Sequence, residues 1–203
     1  MNGWNDMIKE LIQPLLKSLG FKNKGLQWNR VRGEFVDVVT VQEAKHSTPE
    51  RQVITLNLGV FVKPFYEAVW QKSPGGFVTE ADCAVRVRLG DLVQRKPYGD
   101  ALDQWWEIEA VPRGDGSAGK EIENALRDLG IPFLERFDKL DAVADHLHKV
   151  KGWQAKSPLI VIYRALAEWK TGASSTALET LSTIKGKAWE AKARLIRETI
   201  NAA

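Results

Sequence analysis

The chain predicts an α+β fold: an antiparallel sheet with helices packed on one side, followed by a C-terminal appendage of three helices. Three observations carry this. The centre holds three short apolar runs that alternate with period two: GEFVDVVTVQEAK at 33–45, RQVITLNLGVF at 51–61 and ADCAVRVRLGDL at 81–92. Such alternation marks half-buried strands. The flanking segments repeat their apolar residues at helical spacing. Turn residues (Gly33, Ser73-Pro74-Gly75-Gly76, Gly90) separate the runs.

Taken in order, Ile8, Leu11, Ile12, Leu15, Leu16 and Leu19 make a first helix, with Asn5 or Asp6 as its cap and Gly20 as its stop. Pro14 removes a donor inside it and predicts a kink or split. A turn at 20–25 leads to a strand with Leu26 and Trp28 on one face. In the next strand Phe35, Val39 and Val41 oppose Val36 and Val38. After the polar loop 45–51, Ile54, Leu56, Leu58 and Val60 share one face; Thr55 and Asn57 share the other. Pro64 opens a short helix through Trp70. In the following strand Cys83, Val85, Val87 and Leu89 are expected inward, Arg86 and Arg88 outward, with Gly90 as the end. Residues 91–117 read as loop. A helix over 119–130 is expected to end at Gly130, with a break at Ile131-Pro132-Phe133, and a second helix carries Leu140, Val143, Leu147 and Val150. Ser157-Pro158 then starts the first of three tail helices, which carry Ile162, Leu166 and Trp169, then Leu178, Leu181 and Ile184, then Trp189, Ile196 and Ile200. The boundaries expected are a sheet domain at 1–152 and a helical appendage at 153–203.

Composition excludes several classes. Hydrophobic content of 44% and charged content of 27% are ordinary, so the chain is globular rather than disordered. A net charge of +3 is too small to imply nucleic acid by itself. Cys83 is the only cysteine, which leaves no intramolecular disulfide and no cysteine zinc cage. The first twenty residues do not read as a signal peptide. The longest strongly apolar run, Leu159 to Tyr163, is too short to span a bilayer. The expectation is a cytoplasmic protein with no membrane segment.

A set of local signatures recurs in a definite order: GFKNKG at 20–25, Val41-Gln42 at a strand end, TLNLGV at 55–60, RLGDL at 88–92, Trp105-Trp106, and LGIPFLERF at 129–137. In this order and spacing the chain resembles the bacterial domain-of-unknown-function family DUF4304 over roughly residues 5–150. The positions that carry the resemblance include Gln42, Asn57, Gly59, Arg88, Gly90, Trp105 and Trp106. The resemblance implies an α+β domain. It implies no activity, cofactor or catalytic residue.

Read for chemistry, the chain offers no catalytic constellation and no metal or cofactor site. His146 and His148 are two apart on a helix and diverge; Asp141, Asp145 and His148 share a face that reads as a solvated flank. Cys83 reads as a buried thiol. His46-Ser47 has no orienting carboxylate implied, and no GxSxG elbow is present. GDGSAGK at 114–120 has phosphate-loop spacing, but Glu121 stands where a magnesium-binding hydroxyl is needed. The outward sheet face is the candidate binding surface: Gln42, Asn57, Arg86 and Arg88, with Thr40 and Thr55, beside Trp105 and Trp106. Adjacent tryptophans point opposite ways, one to the core and one to the surface.

The expectation is a non-enzymatic module that binds another protein, an immunity or antitoxin role being one form. Two alternatives stand beside it. One is a nucleic-acid-associated factor using Lys17, Lys22, Lys24, Arg30 and Arg32 together with Lys185, Lys187, Lys192, Arg194 and Arg197. The other is an enzyme that holds an anionic substrate on Arg86 or Arg88.

Overall fold

Helix α1 runs over residues 3–18 in the computed structural model, which describes residues 3–48, 51–95, 104–109 and 117–202. Pro14 does not split it: helical residues run without a gap from Gly3 to Ser18. Residues Ile8–Ile12 form a π turn in which the Gln13 N–H donates to the Ile8 carbonyl, five residues back. The wider turn absorbs both the missing proline donor and the clash of its ring with the preceding turn. Helix α4, residues 117–135, repeats the device. Its π turn, Leu126–Gly130, has the Ile131 N–H on the Leu126 carbonyl, and Pro132 follows at once. The break expected at 131–133 therefore does not occur, and the helix continues to Glu135.

The sheet has six strands: β1 (Lys22–Lys24), β2 (Gln27–Arg32), β3 (Phe35–Glu43), β4 (Arg51–Val62), β5 (Val85–Arg88) and β6 (Trp106–Glu109). All pairs are antiparallel, in the order β1-β2-β3-β4-β5. The long β4 carries two short partners along one edge, β5 on residues 57–60 and β6 on residues 51–54. Gly33, at φ +64°, turns β2 into β3, a backbone state that glycine adopts without steric cost.

One face of the sheet packs on the helices. Trp28, Val39, Ile54, Leu56, Leu58, Val60, Val85, Val87 and Trp106 are buried there against Ile12, Leu16, Ile122, Leu126 and Phe133. The same cluster continues into Tyr163, Leu166, Leu181 and Ile196. Besides α1 and α4, the helices are α2 (Lys63–Trp70), α3 (Leu89–Val93), α5 (Leu140–Lys149), α6 (Gly152–Ala155), α7 (Pro158–Lys170), α8 (Ser174–Ser182) and α9 (Lys187–Asn201). Trp189 of α9 meets the Trp70 ring edge-on at 6.3 Å, and Lys192 Nζ donates to the Val69 carbonyl at 2.9 Å. These contacts tie the last helix to α2.

Part of the opposite face is also covered. Val78 and Cys83 pack on Val38 and Phe61 in a second small core. Asn29 pins this segment: the Val78 N–H donates to its Oδ1 at 2.9 Å, and its Nδ2 donates back to the Val78 carbonyl. Cys83 thus lies on the side away from Val85 and Val87, contrary to expectation. It precedes β5 and follows the 3-10 turn Glu80–Asp82, so strand alternation does not reach it. Gly59 makes room for it, since a Cβ there would sit 2.6 Å from the Cys83 Sγ. Gly90 likewise does not end the chain segment as a loop; it lies inside α3, where a Cβ would be 2.7 Å from the Gln104 carbonyl oxygen. The stretch read as loop at 91–117 contributes the rest of α3, strand β6 and the start of α4.

One charged group sits on the helical face. Asp37 is fully buried, and its carboxylate accepts from Arg30 Nε at 2.8 Å and from Arg32 Nε and Nη2 at 2.8 and 2.7 Å. Arg32 Nη2 also donates to the carbonyls of Leu134 and Phe137, and Arg30 pairs with Glu135. The cluster closes the C-terminal end of α4 onto the sheet, where orphan carbonyls need donors.

Candidate functional site

Register decides which outward side chains meet. Gln27 faces Thr40, Thr40 faces Asn57, and Asn57 faces Arg88, so one polar row crosses four strands. Gln42 faces Thr55 in the next row, and Arg86 lies opposite Gly59. The side chains named from the sequence are therefore brought to one face, Trp106 excepted. Asn57 Nδ2 donates to Gln42 Oε1 at 2.7 Å, and Arg88 Nε donates to Asn57 Oδ1 at 3.3 Å.

The two tryptophans part company. Trp106 is in β6 opposite Ile54, buried on the helical face, and its Nε1 donates to Glu121 Oε1 at 3.0 Å. Trp105 is half-buried, with the Arg88 guanidinium carbon 5.3 Å from its ring centroid. The close approach at Gly90 sets the backbone of Gln104 that precedes this pair.

A second arginine–tryptophan stack, invisible in the sequence, lies beside the first. Arg86 is within 5.5 Å of the ring centroid of Trp153, on the short helix α6, and Trp153 is 62% exposed. Arg86 also makes a bidentate pair with Glu80, through Nε to Oε1 and Nη2 to Oε2. Its charge is thus matched within the chain. Trp153 is remote in sequence from both Trp105 and Arg86 and belongs to no motif; only the fold of the α5–α7 connection puts it next to β5.

Clefts of about 280 and 330 Å³ lie elsewhere, and neither is lined by Arg86 or Arg88. Cys83 is fully buried, and desolvation raises its thiol well above the ordinary value, so it stays protonated. Of the histidines, His148 Nε2 is 3.5 Å from Glu168 Oε1, and Asp145 is 3.4 Å from Lys149. Among the described residues no group of three or more His, Cys, Asp or Glu side chains is placed to hold a metal ion. Residues 114–116 of the glycine-rich run lie outside the described residues, and Ser117 to Glu121 form the first turn of α4.

The basic residues are partly engaged. Arg30 and Arg32 hold Asp37; Lys192 donates to Val69, and Arg197 Nη2 donates to the Leu181 carbonyl at 2.7 Å. Among the described residues no helix is long and apolar enough to cross a membrane.

Comparison with family models matches the domain of unknown function DUF4304 over residues 12–136, and the chain belongs to that family. The match includes Gln42, Asn57, Arg86, Arg88, Trp105 and Trp106 and stops short of Trp153. No curated protein and no solved structure matches the chain.

Proposed function

We propose that this member of the DUF4304 family is a protein-binding module that meets its partner with the polar face of the sheet. The observation behind the reading is the pair of arginine–tryptophan stacks at neighbouring outward positions of β5, Arg88 on Trp105 and Arg86 on Trp153. Tryptophan and arginine dominate protein–protein hot spots because they combine large apolar area with directed polar contact. Stacking holds both arginines in place before any partner arrives, which lowers the entropy cost of ordering them. The Asn57–Gln42 bond adds fixed amide groups beside them.

Charge favours a protein over nucleic acid here. Phosphate binding rests on cations that displace counterions. Arg86 is matched by Glu80, and Arg30 and Arg32 by Asp37. Neutralising a toxin by covering it is one concrete form of such a role.

The test is affinity capture from native extract with the full chain beside Trp153→Ala and Gln42→Ala. Both side chains are exposed, so either change should alter stability by only about 0.5 kcal/mol. The expected result is one stoichiometric protein partner, lost or sharply reduced with Trp153→Ala. A partner retained by both variants, or nucleic acid in place of protein, would refute the reading.

A further inference from the structure

On the helical side of the sheet, a cleft of about 330 Å³ lies between α3 and the π turn of α4. Its floor is apolar: Leu92, Leu129, Pro132 and Phe133. Leu129 is 41% exposed, while Phe133 is buried. The wall carries charge. Arg95 and Arg136 border the cleft, and Asp128 joins them. Arg136 lies over the rings of Phe133 and Phe137, at 4.8 and 5.8 Å. Among the described residues no carboxylate pairs with either guanidinium.

Two further features coincide at this place. Arg95 holds φ +58°, a left-handed state that non-glycine residues adopt at a cost of roughly 1 kcal/mol or more. The cleft also abuts a π turn, and such turns occur often at functional sites. Both segments that form the floor, RLGDL and LGIPFLERF, belong to the signatures that mark the family. Packing accounts for their glycines: a Cβ at Gly130 would be 3.1 Å from Leu58 and 3.3 Å from Leu89. It does not account for a leucine and a proline left at the surface between two cations that no carboxylate among the described residues pairs with.

We propose that this cleft is an anchor site for an acidic segment of a partner protein. One aromatic or leucine side chain of that segment rests on Leu129, Pro132 and Phe133, and carboxylates beside it pair with Arg95 and Arg136. Charge complementarity selects the class. With Asp128 included, the wall has an excess of one positive charge, and guanidinium groups without internal partners take carboxylates from outside, often in bidentate form. Size selects the source. The volume is at the low end for small-molecule sites, which run from about 300 to 1,000 Å³, and suits a single anchoring side chain. The site is separate from the polar sheet face and stands or falls independently of it.

The experiment is an amide chemical-shift titration of the full-length, nitrogen-15-labelled chain. The probe is an N-acetylated, C-amidated pentapeptide, Asp-Asp-Trp-Asp-Asp; its control carries asparagine in place of every aspartate. The expected result is shifts centred on Leu129 and Arg136 with the acidic peptide and little response to the neutral one. Arg95→Gln and Arg136→Gln should each weaken binding about three- to fivefold, and Asp128→Asn should tighten it about threefold, the scale of single exposed charge pairs. Equal response to both peptides, or no response at the cleft, would overturn the proposal. Phenylacetate binding as tightly as the acidic peptide would also overturn it, in favour of a small carboxylate ligand. Shifts confined to Trp153 and Gln42 would overturn this site and leave the proposed function standing.

Discussion

His146 should make the stability of this protein fall as pH falls, by a calculable amount. The side chain sits on α5 at 4% exposure, edge-on to the rings of Phe133 and Phe137 at 5.8 and 5.3 Å. Burial, reinforced by Arg136 and Lys149, lowers its pKa from 6.5 to about 4. The imidazole therefore stays neutral in the folded chain at a pH where the unfolded chain has taken up a proton. The unfolded state binds the extra proton, so stability rises with pH through this window. The contribution is complete above about pH 6.5 and is gone near pH 4. The interval from 6.5 to about 4, at roughly 1.4 kcal/mol per pH unit, amounts to about 3 kcal/mol. That is a large share of the roughly 5–15 kcal/mol that holds a domain folded. Urea denaturation of the wild type and of His146→Leu at about pH 7.5, 6, 5 and 4.5 measures it. Carboxylates and the other two histidines remain in both proteins, so the difference between the curves isolates His146. Between about pH 7 and 5 the wild type should lose about 2 kcal/mol more than the variant. Parallel curves would refute the assignment of a neutral, desolvated imidazole.

Three other changes have definite outcomes. Gly59→Ala places a methyl group 2.6 Å from the Cys83 Sγ and should cost about 1–3 kcal/mol by overpacking, read as a lower urea midpoint at unchanged m-value. Asp37→Asn removes the buried carboxylate from two arginines and should cost about 3–5 kcal/mol, seen as a large drop in Tm; a loss under about 1 kcal/mol would mean solvent reaches the cluster. Cys83 should resist a thiol reagent such as Ellman's reagent at pH 8 in the folded protein and react at once in denaturant, because it is fully buried with its thiol held protonated.

Some of this architecture is written locally. Period-two alternation marks β2 through β5 because each strand buries one face, and successive side chains point to opposite faces whatever the rest of the chain does. The tail helices announce their ends at Gly172 and Gly186, both at positive φ, for the same local reason. The outward placement of Asn57, Gln42, Arg86 and Arg88 follows from parity alone. Of the shortest elements, β1, α3 and β6 were not legible: they show no period of their own, and what stabilises them is pairing or packing with distant segments. The prolines at 14 and 132 read as breaks because the sequence shows a lost donor, not the π turn that accommodates it.

What only the tertiary structure decided is which polar residues face the core and which tryptophans face the solvent. Asp37, Arg30 and Arg32 share strand parity with Val39 and Trp28, but only the assembled structure brings the end of α4 over them and supplies the ion pairs that make that burial tolerable. Arg86 looks like a free cation until Glu80 is folded back onto it. Trp153 becomes part of the candidate surface because a four-residue helix lands beside β5. Alternation and capping are properties of neighbours in sequence and so are carried by the chain itself. Pairing, desolvation and stacking depend on groups tens of residues apart, and those distances exist only once the sheet and its helices have assembled.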